Sequence, residues 1–240
     1  MGLKESGLRG SLRSVSTGVI AIPDSVVDNF EDADSDPAGI YEEGDTLSDF
    51  YTFRDSTDDA SRVSDSNIID GSFALEFDSP SATNLSSNPG DGLNRYISKG
   101  DRFSALVRSV DEEVGIIWGV GSTSDDRYQL AVGQNNNDLR LSKSTDGNFQ
   151  DLSTPNVSIE SGEWYELEIE WHDGSGSESD NTIISRVFDV DQSTGERGPE
   201  LQSTSVSDSD HADNEGVGFT IGGGATGDRV DRYQFEAEVD

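Results

Sequence analysis

The chain has no cysteine, one methionine, two histidines and only 16 basic residues among 240. Without cysteine there is no disulfide, no thiolate metal site and no sulfur nucleophile. The two histidines, His172 and His211, lack the His-x-x-x-His spacing of a zinc site. Each sits beside turn residues, Asp173-Gly174 after the first and Asp210 before the second, so both are expected on exposed loops. Long hydrophobic runs are also missing. The longest near the N-terminus, Val19-Ile20-Ala21-Ile22, is too short for the apolar region of a secretion signal, and no run reaches membrane-spanning length. Set against 49 acidic residues, the scarce basic ones leave a formal net charge of -33, which excludes a general affinity for nucleic acid or anionic lipid.

What is present is acid of one kind. A hydrophobic content of 31% with so large a net charge would by itself suit a disordered chain. However, Asp outnumbers Glu by 31 to 18, and Lys4, Lys99 and Lys143 are the only lysines, the remaining basic residues being arginine. In this preference the composition resembles that of halophilic, haloarchaeal proteins. The physical reason is screening: at molar salt the Debye length falls to about 3 Å, and surface carboxylates then repel only their immediate neighbours.

Three regions are distinguishable. Residues 1–23 carry Lys4, Arg9 and Arg13 against Glu5, a local reversal of sign that marks a candidate docking arm, with a frayed terminus as the plain alternative. Residues 24–48 read as an acidic connecting segment. From residue 49 to 240, short runs of aromatic and β-branched residues alternate with Gly, Asn, Asp and Ser clusters, and helical periodicity is nearly absent. The clearest strands cover residues 73–77, 102–110, 114–120, 127–132, 138–142, 163–171, 182–190, 216–221 and 230–239. Gln134-Asn-Asn-Asn137 supplies residues that tolerate positive φ, so residues 127–142 are expected to form one hairpin. About a dozen strands with polar turns imply an all-β, two-sheet antiparallel β-sandwich or jelly roll.

The succession Gly71-Ser-Phe-Ala-Leu-Glu-Phe77, Gly115-Ile-Ile-Trp-Gly-Val120, Arg127-Tyr-Gln-Leu-Ala-Val132, Gly162-Glu-Trp-Tyr-Glu-Leu-Glu-Ile-Glu-Trp171 and Val187-Phe-Asp-Val190 resembles the strand order of concanavalin A-like lectin/glucanase (LamG-like) domains. The opening Gly7-Leu-Arg-Gly-Ser-Leu-Arg13 through Ala21-Ile-Pro-Asp-Ser-Val-Val27 resembles the N-termini of virion-surface proteins of haloarchaeal tailed viruses. The first resemblance implies a carbohydrate-binding or glucan-cleaving sandwich. The second implies a surface component of a virus particle, made in the host cytoplasm and exposed to a high-salt medium.

Three constellations bear on chemistry. Glu166, Glu168 and Glu170 share one face of a strand by period two, the placement in which laminarinase-type enzymes of the resembled family carry their acid and nucleophile. In so acidic a chain the competing reading, a solvated strand face, is preferred. Asp32, Asp34, Asp36 and Glu43 have the spacing of a calcium loop, although Pro37 stands where such a loop needs Gly, and a solvated acidic loop is the alternative. Arg127 and Arg140, with Gln129 between them and Arg108 and Arg186 in similar parity, would line a sheet face able to grip an anionic sugar. Trp118 would stack on the sugar ring, unless its parity with Val114, Ile116 and Val120 places it in the core. Local pairing of these arginines with the abundant carboxylates is the plain alternative.

These readings combine into a non-enzymatic β-sandwich on a short arm that docks to other virion proteins and faces host-surface glycans. Homo-oligomerisation is compatible with such an arm. A carbohydrate-binding module of a halophilic secreted or cell-surface protein and a laminarinase-like glycoside hydrolase are the alternatives.

Overall fold

The computed structural model describes residues 26–33, 40–53, 60–78, 82–91, 93, 96–121, 126–222 and 226–238. Lys4, Arg9, Arg13, Asp34 and Asp36 therefore lie outside the described residues. The strands are β1 (Val26–Asp28), β2 (Thr52–Phe53), β3 (Ala60–Val63), β4 (Ala74–Asp78), β5 (Thr83–Ser87), β6 (Asp101–Arg108), β7 (Glu113–Val120) and β8 (Arg127–Gly133). They continue with β9 (Asp138–Thr145), β10 (Asn148–Ser153), β11 (Trp164–Trp171), β12 (Thr182–Val190), β13 (Arg197–Ser207), β14 (Gly216–Ile221) and β15 (Thr226–Glu238). One sheet runs β13-β12-β11-β6-β15-β4-β3, with β1 also paired to β15, and the other runs β10-β9-β8-β7-β14-β5-β2. Every strand pairing is antiparallel, so the expected all-β two-sheet sandwich is what forms.

Alternation places the core. Val114, Ile116 and Trp118 of β7 and Tyr128, Leu130 and Val132 of β8 meet Tyr165, Leu167, Ile169 and Trp171 of β11 between the sheets. The predicted hairpin joins β8 to β9 through a turn in which Asn137 takes φ 50°. A second hairpin, β9 to β10, turns on Asp146 (φ 50°) and Gly147 (φ 76°), the Asp-Gly pair that a two-residue turn requires.

The described parts of residues 24–48 do not form a connecting segment; they belong to the sandwich. Asp28 is wholly buried and accepts hydrogen bonds from the Phe30 amide (2.7 Å), the Tyr41 hydroxyl (2.9 Å) and the Tyr51 hydroxyl (2.8 Å). Arg62 lies 3.9 Å from the Tyr41 ring centre and donates to the Phe30 carbonyl (2.8 Å). A buried carboxylate fastens this stretch together with Phe30, Tyr41 and Leu47 of the core, apolar residues too widely spaced in an acidic sequence to show a period.

Several buried carboxylates keep their protons unusually well. Burial pushes Asp28 and Asp228 up to about 6 against their hydrogen bonds, and it pushes Asp231 well above the carboxylate range. Between the ordinary aspartate range and about 6, the folded chain binds protons that the unfolded chain has released, so stability falls as pH rises through that window. At constant molar salt the melting temperature is expected to be higher near pH 5 (about one unit below the raised values) than at neutrality. Circular-dichroism melts check this, and Asp228→Asn should flatten the slope.

Candidate functional site

The outer face of the seven-stranded sheet carries a trough whose lining can be followed through the strand registers. Ser144 stands opposite Arg127, and Ser142 opposite Gln129. The next row runs Arg140, Ala131, Gly115, Thr220, Asn84 across β9, β8, β7, β14 and β5. Small residues leave its floor open. A Cβ on Gly115 would stand 2.0 Å from the Leu130 carbonyl oxygen, and one on Gly218 1.8 Å from that of Leu85, so neither backbone admits a side chain. The resulting cavity has a volume of about 610 Å³ and is lined by Asn84, Glu113, Arg127, Gln129, Arg140, Ser142, Ser144, Phe149, Asp151 and Thr220, among others.

At one end Phe149, 61% exposed, carries the Arg127 guanidinium 5.0 Å from its ring centre. At the other, the Arg140 Nη1 lies 2.8 Å from the Glu113 Oε1, while its Nε faces Asp151 at 3.6 Å and its Nη2 faces Asp138 at 4.0 Å. The Asn136 amide donates to the same Glu113 oxygen at 2.5 Å. Burial raises Glu113 and Asp138 above their ordinary range, against the lowering pull of Arg140. Between these ends, the Gln129 Oε1, Ser142 Oγ and Ser144 Oγ are buried without a hydrogen-bond partner among the described residues. Three converging polar groups left in this state are the strongest sign of a ligand, since such groups cost stability unless something satisfies them.

The structure thus brings together Arg127, Gln129 and Arg140 as their parity suggested. It does not add Trp118, which is wholly buried, edge-on to Phe103 at 5.8 Å and tilted on Tyr128 at 5.5 Å. The exposed aromatic is Phe149 instead. It follows the Asp146-Gly147 turn, the local signal from which β10 could have been found. Ser142 was legible as the polar parity of residues 138–142, whereas Ser144 lies beyond that predicted run and Asn84 on β5, where no strand was predicted. Arg108 does not face the trough, because it donates to the Gly162 and Gly227 carbonyls.

The second constellation overturns an expectation. Glu166, Glu168 and Glu170 are not a solvated face: they are 2%, 3% and 5% exposed. Their strand, β11, lies between β6 and β12, and arginines from the neighbouring strands close over it. Arg197 binds Glu166 through two nitrogens, both at 2.9 Å, and Glu168 at 2.6 Å. Arg186 reaches Glu168 at 2.6 Å and Glu170 at 2.8 Å, and Arg102 also pairs with Glu170. Burial raises Glu166 and Glu170, but these guanidinium contacts outweigh it and hold both below the usual carboxylate range. That is the reverse of the raised value a glycosidase acid needs.

The histidines are likewise buried rather than exposed, His172 against Glu170 (3.4 Å) and His211 against the Tyr128 ring (5.0 Å). Of the proposed calcium ligands, Asp32 is paired with Arg62 at 2.7 Å and Glu43 is exposed. Among the described residues no group of three or more His, Cys, Asp or Glu is placed to hold a metal.

Two antiparallel sheets packed face to face, with a polar trough on the outside of one, define a jelly-roll β-sandwich. No family model matches the chain, and no curated protein matches its sequence. Solved structures that align with it include a legume lectin-like domain from Entamoeba histolytica, with 9% identity, a TM-score of 0.48 and coverage of 81% of this chain and 92% of that one. The carbohydrate binding module CBM66 from Bacillus subtilis aligns with 9% identity, a TM-score of 0.47 and coverage of 78% and 95%. The CBM2 module of the evolved Dit protein of Lactobacillus casei BL23 phage J-1 aligns with 12% identity, a TM-score of 0.39 and coverage of 80% and 98%. At these identities and scores the alignments carry no argument about what this chain binds.

Removing Glu168 takes one carboxylate from Arg186 and one from Arg197, which are partly exposed and keep Glu170 and Glu166 as partners. Glu168→Ala is therefore expected to lower stability by about 1–3 kcal/mol, measured by chemical denaturation in molar salt, whereas Glu43→Ala, at an exposed position, should change it little.

Proposed function

We propose that this protein is a non-enzymatic carbohydrate-binding sandwich that holds a glycan in the trough on its seven-stranded sheet. The observation that carries the reading is the convergence of the unpartnered Gln129, Ser142 and Ser144 side chains beneath an exposed aromatic ring, Phe149. Sugar hydroxyls both donate and accept, so they suit hydroxyl and amide groups of this kind, and the apolar face of a pyranose suits a ring beside it. The arginine-bound state of Glu166, Glu168 and Glu170 supports the non-enzymatic part, because Glu166 and Glu170 are held below the usual carboxylate range and Glu168 is engaged by two guanidinium groups.

We further propose that the sandwich is displayed on the surface of a haloarchaeal virus particle, with the basic arm of residues 1–23 docked to other virion proteins. This rests on the acidic composition and the N-terminal resemblance alone. Deleting residues 1–22 should abolish incorporation into particles while leaving the melting temperature of the sandwich unchanged.

Glycan binding is read by an array in 2 to 4 M salt (about the range in which only contact electrostatics survive). Phe149→Ala is expected to weaken the leading interaction about tenfold without loss of stability, because the ring is exposed in the free protein. Equal binding by the variant and the parent would overturn the assignment of the trough.

A further inference from the structure

The charges around the trough point to a selectivity that the sequence did not suggest. Its charged lining side chains are two guanidinia, Arg127 and Arg140, and two carboxylates, Glu113 and Asp151, and a third carboxylate, Asp138, stands beside Arg140 without lining the cavity. Arg140 is the cation facing the acidic end, and it is already engaged by all three: Glu113 at 2.8 Å, Asp151 at 3.6 Å and Asp138 at 4.0 Å. Glu113 is itself fixed. It is 6% exposed, it takes the Asn136 amide hydrogen bond, and it packs where Gly133 lacks a side chain, since a Cβ there would lie 2.8 Å from the Glu113 Cγ.

We propose that Glu113 is a specificity-determining residue that withholds Arg140 from acidic ligands and makes the trough selective for uncharged glycans. The proposal rests on the glycan-binding reading above and deepens it. A uronate or sulfated sugar has two ways to reach Arg140, and both are costly. It can displace Glu113, leaving a buried carboxylate without its cation. Otherwise it enters beside Glu113, Asp138 and Asp151 and meets like charge at contact distance, where molar salt screens least. A neutral sugar meets neither obstacle. Its hydroxyls donate to the Gln129 Oε1 and exchange hydrogen bonds with the Ser142 and Ser144 hydroxyls, which have no partner among the described residues. Arg140 is thereby a counter-ion to Glu113, whose two oxygens lie 2.8 and 3.1 Å from its Nη1, and one arm of the fork that would normally recognise a carboxylate is already taken.

The test compares a neutral oligosaccharide taken from the array with the same oligosaccharide oxidised at C6 to its uronate, by calorimetry in 2 to 4 M salt (about the range of contact-only screening). The parent protein is expected to bind the neutral form at least tenfold more tightly. Glu113→Gln keeps the shape and an acceptor for Asn136 while removing the charge, and it should reduce that preference about tenfold by admitting the uronate. Asp151→Asn alters a residue whose side chain is 57% exposed, so it keeps the fold and should relax the preference by a smaller factor. Tighter or equal uronate binding by the parent overturns the proposal, as does an unchanged preference in both variants. Failure of the parent to bind either form overturns the glycan-binding reading itself.

Discussion

Each carboxylate taken out of water in this protein has to be matched by a cation or by donors, and cations are few. The sandwich uses its arginines where acid is buried. Arg102, Arg186 and Arg197 close over Glu166, Glu168 and Glu170, Arg229 joins Asp65 to Glu76, and Arg140 answers Glu113. Where no arginine is at hand, hydroxyl and amide donors serve, as at Asp28, or the group keeps its proton more readily, as at Asp228. The outer face of the eight-stranded sheet is therefore a layer of ion pairs, and the polar trough lies on the other sheet.

That division of labour follows from where the guanidinium groups land. On β11 the three glutamates are bracketed on one side by β6 and on the other by β12, with β13 next beyond, so arginines from three strands reach them. On the seven-stranded sheet the corresponding face has Gly115, Ala131 and Gly218 by strand parity, and it keeps serines, a glutamine and an asparagine rather than a matched lattice. On the first, arginines pair with the outward glutamates, whereas the second keeps the Gln129 Oε1, Ser142 Oγ and Ser144 Oγ without a hydrogen-bond partner among the described residues. The second is the side on which a ligand is worth having.

The strand pattern was largely legible. The runs at 182–190 and 216–221 match β12 and β14 end for end, and the parity that set Tyr165, Leu167, Ile169 and Trp171 against three glutamates is the parity of β11. Strands with few apolar residues were not legible. The exposed β13 at the sheet edge has almost no apolar residue, β1, β2 and β3 are too short to show a period, and β5 is buried although its residues are Thr, Asn, Leu, Ser and Ser. The candidate site divides the same way. Arg127, Gln129 and Arg140 could be placed on one face by period two, but Phe149 and Glu113 enter from strands on either side of that hairpin.

The sequence by itself determined an all-β sandwich, its aromatic core and an acid excess suited to concentrated salt, because hydrophobic period, turn residues and net charge are local properties of the chain. Only the tertiary structure decided which carboxylates are buried, which arginine answers each of them and where polar groups are left without partners. Those depend on strand order: β6, β11 and β15 are far apart in the chain and adjacent in the sheet, and no local pattern records which side chain will lie across from which.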